Sequence, residues 1–126
     1  MLEGVAYGFC HNIETFQDIS APVKCVVAVG GGTQSKTWLQ IVSDVAGIEQ
    51  IVPAQTLGAS YGDAFLAGIA AGILTRESIT DWVQGGEIIQ PNPESQQVYQ
   101  PYYQDYLDLY ERNKEIMHNL AAKAQM

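Results

Sequence analysis

The chain has 126 residues, 47% of them hydrophobic and only 16% charged, with a formal net charge of -8. That composition supports one compact domain with a real core and excludes a disordered chain. The acidic balance disfavours general binding to nucleic acid or to an anionic membrane, so any phosphate must be held by local groups.

Leu2, Val5, Ala6, Phe9, Ile13 and Phe16 recur at helical spacing and predict a first helix with one apolar stripe. No capping residue precedes it, so the chain reads as starting close to a helix, with something missing upstream. It also lacks the basic n-region and cleavage site of a signal peptide, and no apolar run approaches membrane-spanning length. Ser20-Ala21-Pro22 ends the helix. Val23 to Val29 is a continuous valine-rich run. It predicts a central strand buried on both faces, as in a parallel sheet covered by helices. Gly30, Gly31 and Gly32 follow, and then a second helical stripe of Trp38, Ile41, Val42 and Val45 closed by Gly47. Ile48 to Val52 predicts a short second strand, stopped by Pro53.

Thr56 to Leu74 reads as a helix crowded with glycine and alanine. Thr80 to Gln84 reads as a short helical turn, Ile88-Ile89 as a short strand, and Pro91 and Pro93 as a loop. A long final helix is predicted from Tyr99 to about Ala124, with Tyr99, Tyr102, Tyr103, Tyr106, Leu109 and Tyr110 on one broad face. The stripes of the first and last helices are too broad to stay wet, and both are expected to pack on the sheet. The alternation of helices and strands implies an α/β layer structure. Its few strands leave a sheet edge open, which supports a part of a larger domain. Cys10 and Cys25 are read as buried reduced thiols, and His11 and His118 have no ligand-spaced partners, so no metal site is expected.

The glycines end the strand candidate, where each one costs backbone entropy. The dinucleotide fingerprint fails because Ser35 stands where its last glycine belongs. The phosphate-binding P-loop also fails: Gly30 to Thr37 reads G-x-x-x-x-S-K-T, again lacking one glycine. The physical logic survives both failures. A strand ends, glycines admit a close ligand, and a helix N-terminus presents N–H groups to an anion. A bound phosphate would also offset Lys36, a cation in the first helical turn. A plain tight turn with a solvated Lys36 explains the same residues. In Gly58 to Gly72 the small residues serve either close helix packing or a flat ligand. Asp63 reads as a helix cap near Gly62 or as a contact to a ligand hydroxyl.

The stretches "LEGVAYGF" (Leu2 to Phe9), "VGGGTQSKTWLQIVSDVAG" (Val29 to Gly47) and "LGASYGDAFLAGIAAG" (Leu57 to Gly72) resemble the C-terminal domain of the FGGY family of carbohydrate kinases, xylulokinase-like members above all. Pro91, Pro93, Tyr99 and the tyrosine helix extend the likeness over almost the whole chain.

The resemblance implies a ribonuclease-H-like, actin-like ATPase fold with a small mixed or parallel sheet, residues 1–126 forming the nucleotide side of a two-domain kinase. It implies ATP with Mg²⁺ as cofactors, a small sugar or polyol as substrate, and a cytoplasmic enzyme, with a homodimer left open. Carried over by position, Gly30, Gly31 and Gly32 approach the ribose and phosphates. Ser35 and Lys36 open the helix where the family contacts adenine, often through an asparagine. Gly58 to Gly62 form the pocket's other wall. The catalytic aspartate and the phosphate-binding hairpin belong to the N-terminal domain, so no catalytic residue is expected in this chain. Two other readings stay open at this point: a non-catalytic interaction module using the tyrosine helix, and another actin-like superfamily kinase.

Overall fold

The computed structural model describes residues 1–83 and 85–124. The elements are α1 (Leu2–Asp18), β1 (Val26–Val27), α2 (Lys36–Ala46), β2 (Gln50–Pro53), α3 (Ala59–Ala70), α4 (Ile79–Trp82), β3 (Gly86–Ile89) and α5 (Pro93–Lys123). Short 3₁₀ turns occupy Gly31–Gln34 and Arg76–Ser78. The predicted end of the short turn after Thr80, Gln84, lies outside the described residues.

Helix α2 is the middle layer. Ser35 starts it by accepting the Trp38 N–H at 3.2 Å, and Gly47 ends it in a left-handed conformation (φ 62°). On one side Leu39 packs with Val52 and Ile89 of the sheet, with Ala28 against them. On the other side Val42 and Val45 meet Ala6 and Cys10 of α1, flanked by Trp38, Ile41, Tyr99 and Tyr103. Trp38 is therefore half-buried, as its stripe predicts.

The sheet is mixed, in the order β1-β2-β3. β1 runs parallel to β2, with Val26 opposite Gln50, and β3 returns antiparallel, with Ile89 opposite Gln50. This corrects the expectation of a central, doubly buried strand over Val23 to Val29. Only Val26 and Val27 join the ladder, and β1 lies at the edge. Val27 and Val29 are 54% and 53% exposed: α2 covers one face of the sheet, and on the other they are met only partly, by Tyr61 and Trp82 around a recess. Cys25, expected to be buried, is exposed just before the ladder, while Cys10 is buried.

The first and last helices do not pack on the sheet as expected. They pack on α2 and on each other, so the layers run from sheet to α2 to the pair of outer helices. Tyr7 of α1 meets Tyr99, Tyr103 and Tyr106 of α5, at ring-centroid distances of 6.5, 6.1 and 5.9 Å. Tyr102, Leu109 and Tyr110 stay exposed. α5 also begins earlier than its tyrosines suggest. Asn92 caps it by accepting the Glu94 N–H at 2.9 Å, and Pro93 takes the first position, where a missing N–H costs nothing.

A buried polar network ties these layers together. Gln50 donates to Leu39 O (2.6 Å) and to Ser43 Oγ (2.8 Å), and Ser43 Oγ donates to Ile89 O (3.3 Å). The Asp44 carboxylate accepts from Gln40 Nε2 and from the Asn92 N–H, both at 2.7 Å, which fixes where α5 starts. Asp44→Ala leaves that N–H without its partner. Its expected cost is about 1–3 kcal/mol, read as a lower urea midpoint with an unchanged m-value.

Tyr103 donates to Glu14 Oε2 at 2.5 Å. Burial, and then this hydrogen bond to a carboxylate, hold its phenol well above the usual range. The neutral phenol is the form that the fold favours. Its contribution is therefore complete below the unfolded phenol value of about 10 and is lost as pH rises beyond it. Between about pH 8 and pH 11, thermal unfolding should show the parent losing more stability than Tyr103→Phe. Parallel losses in the two proteins would contradict the assignment.

Candidate functional site

The site forms where the parallel strands β1 and β2 end, the usual place for a ligand crevice in an α/β layer. Two glycine turns meet there. Gly30 leaves β1 with φ 87°, and its N–H donates to Thr56 O at 2.7 Å. Gly58 leaves β2 with φ 61°, and a Cβ placed on it would lie 3.9 Å from Gly30 Cα. Both positive φ angles suit glycine and strain other residues. At that ordinary van der Waals distance the two turns lie side by side, so the two glycine segments are legible as one feature only in three dimensions.

The run does not pass directly from strand to α-helix. Gly31–Gln34 forms a 3₁₀ turn, held by Thr33, whose hydroxyl and N–H both donate to Gly30 O (2.7 and 3.2 Å). The N–H groups of Gly31 and Gly32 have no backbone partner among the described residues. Gly31 is exposed, and a Cβ on it would meet nothing within 4 Å. A Cβ on Gly32 would sit 3.1 Å from Trp38 Nε1, so that ring lies against the turn.

Two helix N-termini flank the turns. Ser35 is spent on capping α2. α3 starts after Gly58, which offers its first N–H groups no side-chain cap. Asp63 is not a cap: it is exposed, inside α3. Gly62 is exposed a turn into the same helix, with open space where its Cβ would stand. The small residues of α3 do not bury it against another helix, and none is buried. Gly68 instead lets the following chain fold back, since its Cβ position is 2.6 Å from Leu74 Cδ1.

Lys36 is exposed but not unpartnered. Its Nζ lies 2.8 Å from Glu87 Oε1 on β3. Next to Gly58 a recess of about 180 Å³ is lined by Val27, Val29, Pro53, Tyr61 and Trp82. The rings of Tyr61 and Trp82 meet at a tilt, their centroids 4.7 Å apart, and the Tyr61 hydroxyl donates to Trp82 O at 3.2 Å. Sequence reasoning missed Glu87, Tyr61 and Trp82, because strand register and the return from α4 bring them in. The structure thus joins Gly30, Gly31, Gly32 and Gly58, places Ser35 and Lys36 in the next turn, and leaves Gly62 at the margin. Among the described residues no group of three or more His, Cys, Asp and Glu is placed to hold a metal ion.

Residues 1–71 match the family described as FGGY family of carbohydrate kinases, C-terminal domain. The chain belongs to this family. The matched segment contains both glycine turns and ends with α3, and it settles the choice against another superfamily kinase. The xylulose kinase of Staphylococcus epidermidis is 27% identical over 122 residues, covering 95% of this chain and 25% of that protein. The autoinducer-2 kinase of Photorhabdus laumondii is 37% identical over 90 residues, covering 68% of this chain and 16% of that protein. Among solved structures, the xylulose kinase of Rhodospirillum rubrum is 35% identical, with a TM-score of 0.73 over 93% of this chain and 24% of its own. That of Brucella ovis is 29% identical, with a TM-score of 0.74 over 91% of this chain and 24% of its own. The FGGY chain thus has the expected actin-like ATPase fold, here as a small mixed sheet with helices. It spans about a quarter of the length of the xylulose kinases and 16% of the autoinducer-2 kinase.

Proposed function

We propose that residues 1–126 are the nucleotide side of an ATP-dependent sugar kinase, which transfers the γ-phosphoryl group to a hydroxyl of a small, xylulose-like sugar or polyol. The observation that carries this reading is the back-to-back pair of glycine turns at the strand ends, with open N–H groups beside two helix N-termini. Within an FGGY chain, that is a surface for a ribose and phosphates. Gly30 and Gly58 set the close approach, and Gly31 and Gly32 offer their N–H groups. Ser35 keeps α2 in place below them, Lys36 supplies a cation, and Gly62 borders the pocket.

ATP supplies the phosphoryl group, and Mg²⁺ travelling with it screens the developing charge. The residues here bind and orient. The base that deprotonates the sugar hydroxyl, and most of the sugar site, are assigned to an N-terminal domain, outside the quarter of the xylulose kinases that these residues span. A cytoplasmic location fits an enzyme that draws on ATP and keeps Cys10 and Cys25 as free thiols.

The chain alone should therefore bind ATP weakly and phosphorylate no sugar. Titration with ATP, together with a coupled assay for ADP release over a panel of ketopentoses and polyols, tests this. Sugar-dependent turnover by this chain would overturn the division of labour. A folded chain with no affinity for ATP would overturn the nucleotide reading.

A further inference from the structure

The ion pair between Lys36 and Glu87 joins the first turn of α2 to the start of β3. A cation in the first turn opposes the helix dipole, and α2 has no acidic residue there to offset it. The pair also adds little to stability, because its side chains are 78% and 51% exposed. Position gives Lys36 a different role. Of the chain's six cations, Lys24 precedes β1, Arg76 lies in the second 3₁₀ turn, and Arg112, Lys114 and Lys123 lie on α5. Arg112 and Lys114 pair there with Asp108 and Glu111. Lys36 alone follows the glycine turn.

We infer that Lys36 exchanges partners: Glu87 holds its ammonium while the site is free, and the ammonium turns to the phosphates when a nucleoside triphosphate binds. This rests on the nucleotide reading above. The exchange is physically cheap. The β2–β3 ladder fixes the backbone of Glu87 opposite Val52, and the long lysine stem can swing away from it. An exposed pair in water gives up little on separating, and a polyphosphate offers more negative charge than one carboxylate. In a chain of net charge -8, neutralising this one cation also lowers the attraction for a free phosphate. Glu87 is then a positioning residue that tunes nucleotide affinity without touching the nucleotide.

The test titrates ATP, and adenosine as a probe without phosphates, into the 126-residue chain at low and physiological salt. Tryptophan fluorescence is the readout, since Trp38 lies against Gly32. Glu87→Gln should tighten ATP binding by about two- to fivefold at low salt, and Lys36→Gln should weaken it by at least as much. On the Lys36→Gln background, Glu87→Gln should have no effect, which separates the ion pair from a general loss of negative charge. Adenosine affinity should not respond to Glu87→Gln, and the ATP effect should shrink with added salt.

Both positions are on the surface, and circular dichroism verifies folding of each variant. Unchanged or weaker ATP binding by Glu87→Gln would overturn the exchange. So would an effect that persists without Lys36, or a Lys36→Gln loss as large for adenosine as for ATP. A folded parent chain with no ATP affinity would overturn the nucleotide reading and the exchange together. Unaffected variants in a chain that does bind ATP would overturn the exchange alone.

Discussion

Gly31→Val should weaken ATP binding by about tenfold or more and leave the fold intact, because the position is open to ligand and to nothing else. Its φ is outside the left-handed region, it is exposed, and a Cβ there meets no atom within 4 Å. Valine at this site therefore strains neither backbone nor packing. It does place two methyl groups over the N–H groups of Gly31 and Gly32, which the nucleotide must approach. The neighbouring Gly30→Val would mix two effects, since φ 87° strains any side chain by about 1–3 kcal/mol. In the longer kinase proposed above, Gly31→Val should raise the KM for ATP and spare the KM for the sugar, whose contacts are assigned elsewhere. Nucleotide titration and steady-state kinetics, with circular dichroism as the folding control, decide the matter. A folded Gly31→Val protein with unchanged ATP dependence would remove the glycine turn from the nucleotide.

The α/β class, the α2 stripe and its Gly47 stop were legible because each rests on local pattern. Apolar spacing and a glycine C-cap act within one turn of the chain. The place of β1 was not legible. A run such as Val23 to Val29 has the same composition whether a second layer covers it or leaves Val27 and Val29 half in water. The outer helices failed for a related reason. Of the predicted α1 stripe only Ala6 is buried, with Leu2, Val5 and Phe16 exposed and Cys10, outside the stripe, buried instead, because α2 rather than the sheet supplies the cover. Residues such as Ser43, Asp44 and Gln50 look like surface residues in sequence, and only the hydrogen bonds that satisfy them explain their burial.

The site divides the same way. The glycines were readable one segment at a time, through the motif they form and the resemblance they carry. Their contact was not, because Gly30 and Gly58 meet through the pairing of β1 with β2. Lys36 was read from helix position alone, which leaves its partner unknown. Glu87 becomes that partner only through the antiparallel register of β3, where it stands opposite Val52.

That register depends on Gly86, and Gly86→Val should be strongly damaging, costing about 3 kcal/mol or more. A Cβ on Gly86 would lie 1.7 Å from Val52 O and 2.8 Å from Pro53 Cα. Both atoms belong to the backbone of β2, so no side chain can move aside. The strand must leave the ladder instead. Ile89 would then lose its packing with Leu39 and Val52, and Ile89 O would lose the Ser43 hydroxyl. The Asn92 N–H that Asp44 holds lies just beyond, so the start of α5 loosens too. Gly4→Ala makes the contrast. It sits inside α1 with open space around it, and removing a helical glycine should stabilise the fold by about 0.5–1 kcal/mol. Urea unfolding followed by circular dichroism should place the two variants on opposite sides of the parent. A Gly86→Val protein that unfolds at the parent's midpoint would rule out the β2–β3 pairing, and with it the strand that brings Glu87 to Lys36.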